Sequence, residues 1–252
     1  MNDPFLIEGP AVISFSGGRT SAYMLRRVLD VGLQPDVHVL FADTGRERDE
    51  TYRFVREIEE RWSVPIHWLH RPGYFTQLIT DRRCLPNPTM RFCTQELKLR
   101  PMRDFMLAKG YEHWDNAVGI RADEPKRVAR MREQNEERSE RWTVQMPLAE
   151  AGTTEADVMA FWKQQPFDLA LKPYEGNCTI CFLKHVNKRE RLAKDRPDLL
   201  AWWVEQEQRT GQFFRRDEPE YEVLPRIGNL FDSLSDDALA ALPDTVECYC
   251  HD

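Results

Sequence analysis

Apolar runs alternate with amphipathic stretches along the chain as far as Ile120. The run Ala11-Val12-Ile13-Ser14-Phe15 breaks at Ser16-Gly17-Gly18-Arg19-Thr20-Ser21, and the breaker-free stretch from Ala22 predicts a helix ending near Gly32. Asp36 to Ala42 predicts a second strand, closing on Asp43-Thr44-Gly45. Glu47 to Trp62 places Tyr52, Val55, Ile58, Glu59 and Trp62 at helical spacing, and Val64 to Leu69 predicts a third strand. Strand, helix, strand, helix, strand with short turns is the pattern of a parallel sheet with helices on its faces. In such sheets ligands sit beyond the carboxyl ends of the strands, where strand order reverses. Ser16-Gly17-Gly18 and Asp43-Thr44-Gly45 both fall at such ends.

Beyond the third strand the pattern loosens. Arg71 to Pro101 is interrupted by Pro72, Gly73, Pro86, Pro88 and Pro101, and reads as a long irregular segment carrying Cys84 and Cys93. A helix from about Pro101 to Ala108 stops at Gly110, and Trp114 to Ile120 reads as a strand ending in Gly119-Ile120-Arg121-Ala122-Asp123-Glu124. Lys126 to Arg141 has few apolar anchors and reads as a mobile lid or an exposed helix, whereas Thr153 to Trp162 reads as a capped amphipathic helix. From Gly176 the character changes to Cys178-Thr179-Ile180-Cys181, a basic helix, an aromatic and acidic segment, and the tail Glu247-Cys248-Tyr249-Cys250-His251. The expected organisation is an α/β nucleotide-binding unit over 1–175 with a cysteine-containing helical extension over 176–252 packed on it.

Composition narrows the class. With 41% hydrophobic and 31% charged positions the 252-residue chain reads as a soluble globular protein. No apolar run has bilayer length, and Met1-Asn2-Asp3-Pro4 does not read as a secretion signal, so a cytoplasmic location without membrane contact is the expectation. The net charge of −7 argues against a protein that coats nucleic acid. One local exception runs from Lys184 to Arg196, where six basic residues face two acidic ones. That stretch reads as a solvated helical face or as a phosphate- or RNA-facing surface.

The first glycine loop carries the clearest chemistry. Its glycines let the backbone approach an anion, Ser16, Thr20 and Ser21 add hydroxyls, the opening N–H groups of the next helix complete the cradle, and Arg19 brings a full positive charge. It is neither a Walker loop nor the three-glycine dinucleotide pattern. A plain glycine turn is the alternative.

This loop resembles the SGGxxS loop of the PP-loop ATP pyrophosphatases, which grip the pyrophosphate end of ATP. Asp43-Thr44-Gly45 with Glu50-Thr51-Tyr52-Arg53-Phe54 is similar to the TG…ETY segment of the phosphoadenylylsulfate (PAPS) reductase family within that superfamily. Arg91-Phe92-Cys93 with Lys98 and Pro101, then Gly119 to Glu124, then Gly176 to Phe182 resemble later segments of that family, in family order. The resemblance implies an adenine nucleotide alpha-hydrolase-like fold, a doubly wound, mainly parallel sheet with helices on both faces, binding ATP or PAPS with Mg2+. By the same resemblance, Ser14, Ser16, Gly17, Gly18, Arg19, Thr20, Ser21, Asp43, Thr44, Gly119 and Arg121 are nucleotide-binding candidates, and Arg19, Lys98 and Arg121 are catalytic candidates.

The intact Ser16-Gly17-Gly18 and Ser21 favour ATP and an adenylation step that releases pyrophosphate, with sulfur from a donor inserted into a nucleic acid or a small molecule. Arg19-Thr20 stands where ATP-using relatives often carry Lys-Asp, which keeps the charge and loses a metal-linked contact. The alternative is a thiol-dependent reductase that releases sulfite from PAPS or adenylylsulfate with a thioredoxin-like reductant. Its nucleophile would be Cys248, because the tail faintly resembles the terminal ECGLH of cluster-free PAPS reductases. A non-catalytic nucleotide-binding module is the third reading, and a homodimer is left open. Six cysteines, two of them in Cys178-x-x-Cys181, fit metal or redox chemistry better than a disulfide framework. Similarity to iron–sulfur relatives makes Cys93, Cys178 and Cys181 candidate ligands, with Cys84, Cys248 or Cys250 as the fourth, for a [4Fe-4S] cluster; zinc and no metal stay open. His38, His67 and His70 read as packing or surface residues.

Overall fold

A computed structural model describes residues 3–138, 140–227 and 234–244. The apolar run Ala11–Ser14 forms β1, flanked by Val37–Asp43 (β2) and Trp114–Val118 (β4), with Ile66–His70 (β3) and Trp142–Gln145 (β5) outermost. The order is β3-β2-β1-β4-β5 and every pairing is parallel. The chain winds outward from β1 to β3 and then crosses back to β4, so strand order reverses beside β1 and opens a crevice at the carboxyl ends of β1 and β4.

Alternation along β1 places its residues in two cores. Ala11 and Ile13 pack with Met24 of α1 (Arg19–Val31), with Phe54 and Ile58 of α2 (Asp49–Arg61), and with Trp162 further along the chain. Val12 packs with Leu40, Trp114 and Met106 on the opposite side. Helices therefore cover both faces, as expected for a doubly wound sheet.

The segment taken as irregular contains more helix than its prolines suggest. Tyr74–Arg82 is α3, and Phe92–Thr94 (α4), a π-helical turn over Gln95–Leu99 and Arg100–Ala108 (α5) follow one another directly. Pro101 does not break this run. A proline ring clashes with the carbonyl four residues back, and the widened turn before it, where the Arg100 N–H reaches the Gln95 carbonyl, relieves that clash.

The charged stretch after Glu124 is an anchored helix, α6 (Pro125–Glu137), with Met131 and Val128 packed on Val118, Val144 and Met146. The amide of Asn135 meets both backbone groups of Val144 at 2.8 Å, clasping β5, a strand too short for its pattern to be read. Then come α7 (Pro147–Glu150) and α8 (Glu155–Trp162), the latter opened by a capping box between Thr154 and Asp157.

The later helices are α9 (Val186–Asp195), α10 (Ala201–Thr210) and α11 (Asp236–Ala240). A second core joins Ile180, Phe182, Leu192, Trp203, Phe214 and Tyr221 to Leu78, Ile79, Phe92 and Leu97, so it crosses the 175/176 position. It also shows that the basic stretch is not simply a solvated helical face. Lys184, Lys188 and Arg189 are buried, and none of the six basic side chains from Lys184 to Arg196 is exposed. Lys184 Nζ donates to the Tyr174 carbonyl at 3.2 Å, Lys188 pairs with Asp244 at 3.1 Å, Arg189 pairs with Glu218, and Arg196 reaches Glu50 at 3.1 Å. Much of the charge is thus answered by internal partners. Among the described residues no helix is long and apolar enough to cross a membrane.

Candidate functional site

At the carboxyl end of β1 the backbone turns sharply at Gly17, whose φ is +81°. A Cβ there would lie 2.7 Å from Thr51 Cγ2 and 3.0 Å from the Phe41 ring, so both conformation and space require glycine. Helix α1 starts two residues later with no side-chain cap on its first N–H groups. Those donors and the positive end of the helix dipole stay available to an anion. The Ser21 hydroxyl donates to the Gly18 carbonyl (3.1 Å) and accepts from the Ser16 N–H (3.2 Å), with the Ser16 hydroxyl 2.8 Å away. Gly119, after β4, packs directly on this loop: a Cβ there would lie 3.0 Å from the Ser21 Cα.

Between these loops lies an open cleft lined by residues that include Ser14, Ser16, Ser21, Lys98, Met102 and Asn116. Phe15, Ala42, Val118 and Ile120 give it an apolar wall. The Ser14 hydroxyl donates to Asn116 Oδ1 at 2.6 Å, fixing one polar group in that wall.

The predicted site residues separate into three groups. Ser14, Ser16, Ser21, Lys98 and Gly119 gather round this cleft. Arg19, Thr20 and Arg121 line a second, wider one on the α8 side of the loop. There Arg121, 9% exposed, donates to the Thr20 hydroxyl at 3.2 Å and to Asp123 at 3.0 Å. The Arg19 guanidinium closes on Asp168 in a two-pronged pair (2.7 and 2.5 Å) and donates to the Leu171 carbonyl at 3.1 Å. Burial, the largest single influence, would raise the Asp168 carboxyl, but the hydrogen bond and charge of Arg19 together with the Ala170 and Leu169 N–H groups hold that pKa below the ordinary value.

Asp43 and Thr44 are occupied by the turn after β2. Asp43 accepts from the Gly45 N–H and the Tyr52 hydroxyl, both at 2.7 Å, and lies 2.6 Å from His70 Nδ1. Burial, reinforced by the bond to Asp43, pushes the Tyr52 phenol well above its usual pKa. The Thr44 hydroxyl donates to Glu47 Oε1 at 2.9 Å.

Sequence reasoning missed Asn116, Met102, Glu47, Asp168 and Asn177. Asn116 alone had a local signal, a polar residue inside an apolar strand. Asn177 donates its side-chain amide to the Ser16 carbonyl at 3.1 Å, tying the Gly176 to Cys181 segment to the phosphate loop.

Cys178 Sγ donates to Glu47 Oε1 at 3.6 Å, while Cys84, Cys93 and Cys181 pack against the second core. Among the described residues no group of three or more His, Cys, Asp and Glu side chains could hold a metal ion. The described residues alone thus do not complete a ligand set around Cys93, Cys178 and Cys181. Cys248 and Cys250 lie outside the described residues.

A family model described as "Phosphoadenosine phosphosulfate reductase domain" matches residues 10–169. An uncharacterized nin region protein of Escherichia phage lambda is 36% identical over 224 residues, covering 75% of this chain and 71% of that protein. A phosphoadenosine 5'-phosphosulfate reductase of Alteromonas mediterranea is 39% identical over 56 residues, 22% of each chain. The crystal structure of a PAPS reductase from Candida auris in a phosphate complex aligns at a TM-score of 0.44 and 17% identity, over 62% of this chain and 73% of that one. With more than half of its length matched by the family model, the chain belongs to the phosphoadenosine phosphosulfate reductase family.

Proposed function

We propose that this family member binds ATP in the cleft between β1 and β4 and transfers its adenylyl group to an acceptor oxygen, releasing pyrophosphate. The observation that carries this reading is the intact Ser16-Gly17-Gly18 loop leading into an uncapped helix N-terminus. Such a cradle suits a pyrophosphate leaving group, which a sulfonucleotide lacks. The apolar wall of Phe15, Ala42, Val118 and Ile120 suits a purine, and the Ser14–Asn116 pair offers polar contacts beside it. Lys98 on the cleft wall and Arg121 beside Thr20 are the cations that neutralise charge as the α-phosphate is attacked.

The acceptor oxygen bonds to the α-phosphorus as the bond to pyrophosphate breaks. Attack of donated sulfur on the acceptor carbon then expels AMP, leaving a carbon–sulfur bond.

Calorimetric titration with ATP and with PAPS tests the reading. ATP is expected to bind the tighter of the two, and Ser16→Ala to weaken it about tenfold by removing a hydroxyl from a charged ligand. Pyrophosphate release from ATP with a cellular RNA and metabolite extract as acceptor source supports adenylation. Tighter binding of PAPS, with sulfite released in the presence of thioredoxin, overturns it in favour of a reductase.

A further inference from the structure

Asn116 lines the cleft with only half of its side-chain amide in use. The residue is 5% exposed, and its Oδ1 accepts the Ser14 hydroxyl proton at 2.6 Å. Among the described residues nothing accepts from its Nδ2. The side chain lines both the cleft and a smaller adjoining hollow, and the two share Leu99 and Met102 as well. Burying an amide with its N–H groups unanswered is costly unless something outside the chain meets them. Ser14 is in the opposite state: its proton is spent on Asn116, and its oxygen keeps lone pairs at the cleft wall, 3.6 Å from Met102 Sδ. The pair therefore presents one donor and one acceptor side by side.

Sheet register sets what reaches that pair. Asn116 is level with Val12, four residues before Ser16, which is about 13 Å along the strand direction. An extended nucleotide spans a comparable distance from base to phosphates, so a ligand with its phosphates on the Ser16 to Ser21 loop brings its base to Asn116. Leu99, Met102 and Val118 supply apolar surface there for a flat ring. A 6-aminopurine has on its edge a ring nitrogen that accepts and an amino group that donates, matching the Asn116 Nδ2 and the Ser14 oxygen. A 6-oxopurine carries an oxygen in place of the amino group and a ring N–H in place of the accepting nitrogen, which sets donor against donor and acceptor against acceptor. We propose that Asn116, held by Ser14, is the specificity-determining residue of the cleft and selects 6-aminopurine nucleotides over 6-oxopurine ones. This role rests on the nucleotide reading above and deepens it; ATP and PAPS both carry adenine, so it holds for either.

The test is calorimetric titration of wild type, Asn116→Asp, Asn116→Ala and Ser14→Ala with ATP, ITP, PAPS and inorganic triphosphate, in variants whose melting temperatures match. ITP differs from ATP in carrying the 6-oxo ring. Wild type is expected to bind ATP about tenfold or more tighter than ITP, the discrimination of a two-point contact to the base edge. Asn116→Asp replaces the donor by an acceptor of the same shape, and is expected to bring the ATP to ITP preference to about one or to reverse it. Ser14→Ala leaves the amide free to turn either end to the base, and is expected to cut the preference to about threefold or less. Inorganic triphosphate, which reaches only the phosphate loop, is expected to bind all four proteins alike. Equal ATP and ITP affinity in wild type, or a preference unchanged in the Asn116 variants, overturns the proposal and leaves the nucleotide reading standing. Loss of nucleotides and triphosphate together in the Asn116 variants makes the residue a packing element and overturns it as well. Should Asn116→Asp fail to fold, the preference of Asn116→Ala decides. Folded wild type that binds no nucleotide refutes the nucleotide reading, and this role with it. Tighter binding of PAPS than of ATP, with the same dependence on Asn116, refutes adenylation and keeps Asn116 in its role.

Discussion

Arg19 lies within the phosphate loop by sequence, yet its guanidinium is spent on Asp168 and the Leu171 carbonyl. The loop it grips is clasped from a second side by Arg53, which donates to the Asp168 and Leu169 carbonyls at 3.0 Å each. Trp162 Nε1 donates to the Arg19 carbonyl at 2.9 Å, so the first residue of α1 is held through both its side chain and its backbone. Arg19 then acts as a strut that fixes the helix N-terminus, and Asp168 matters as much as Arg19. Exposed ion pairs contribute below about 1 kcal/mol, whereas a two-pronged pair with its guanidinium mostly buried is worth more. Side-chain exposures of 17% for Arg19 and 36% for Asp168 set the coupling at about 1–2 kcal/mol after discounting for solvent. For a chain of this size that corresponds to a melting temperature lower by about 2–8 °C. The assay is a double-mutant cycle of Arg19→Ala and Asp168→Ala by denaturant unfolding, with ATP titration of each variant. Each single variant should lose similar stability, the double variant little more than either, and both should weaken ATP binding. Additive stability losses, or unchanged or tighter ATP binding in Asp168→Ala as the released guanidinium turns to the phosphates, would refute the strut.

Gly17→Ala should destabilise the fold by about 2–5 kcal/mol, combining a positive-φ cost of about 1–2 with a clash against Thr51 and Phe41 of about 1–3. A melting temperature within 2 °C of wild type, read at about 2–4 °C per kcal/mol, would show that the turn can open without cost. Acid should also weaken the fold. Burial is the main cause lowering the pKa of both His38 and His67 from 6.5, with Lys109 adding to it. Below pH 6.5 the unfolded chain takes up protons that these native imidazoles refuse, so stability present at neutral pH is lost as pH falls through and below 6.5. Unfolding free energy compared at pH 7.5 and 5.5 should drop, and should drop less in the His38→Asn/His67→Asn double variant; an identical drop in both would remove these two residues as the cause.

The order of strands and helices up to β3 was legible because each strand there is an apolar run closed by a turn and each helix repeats its apolar residues at helical spacing. β5 was not, since Trp142–Gln145 buries little beyond Val144 and borrows its stability from Asn135. Helix α9 misled for another reason. Its burial rests on acidic partners such as Glu218 and Asp244, far along the chain, and a run of basic letters carries no mark of who answers it. The site divides the same way. The loop of Ser16 to Ser21 announces itself locally, but Arg19 meets Asp168 across 149 residues and Glu47 meets Cys178 across 131, and only the folded chain brings such pairs together.

The second core has a consequence for timing. Phe92 and Leu97, which seat the turn bearing Lys98, rest on Ile180, Phe182, Trp203 and Tyr221. A nascent chain that has emerged only through its five strands carries the phosphate loop but lacks the support for one wall of the cleft. Translation must therefore run past Tyr221 before that wall can settle, which keeps a half-made protein from offering its finished cleft to the nucleotides around the ribosome.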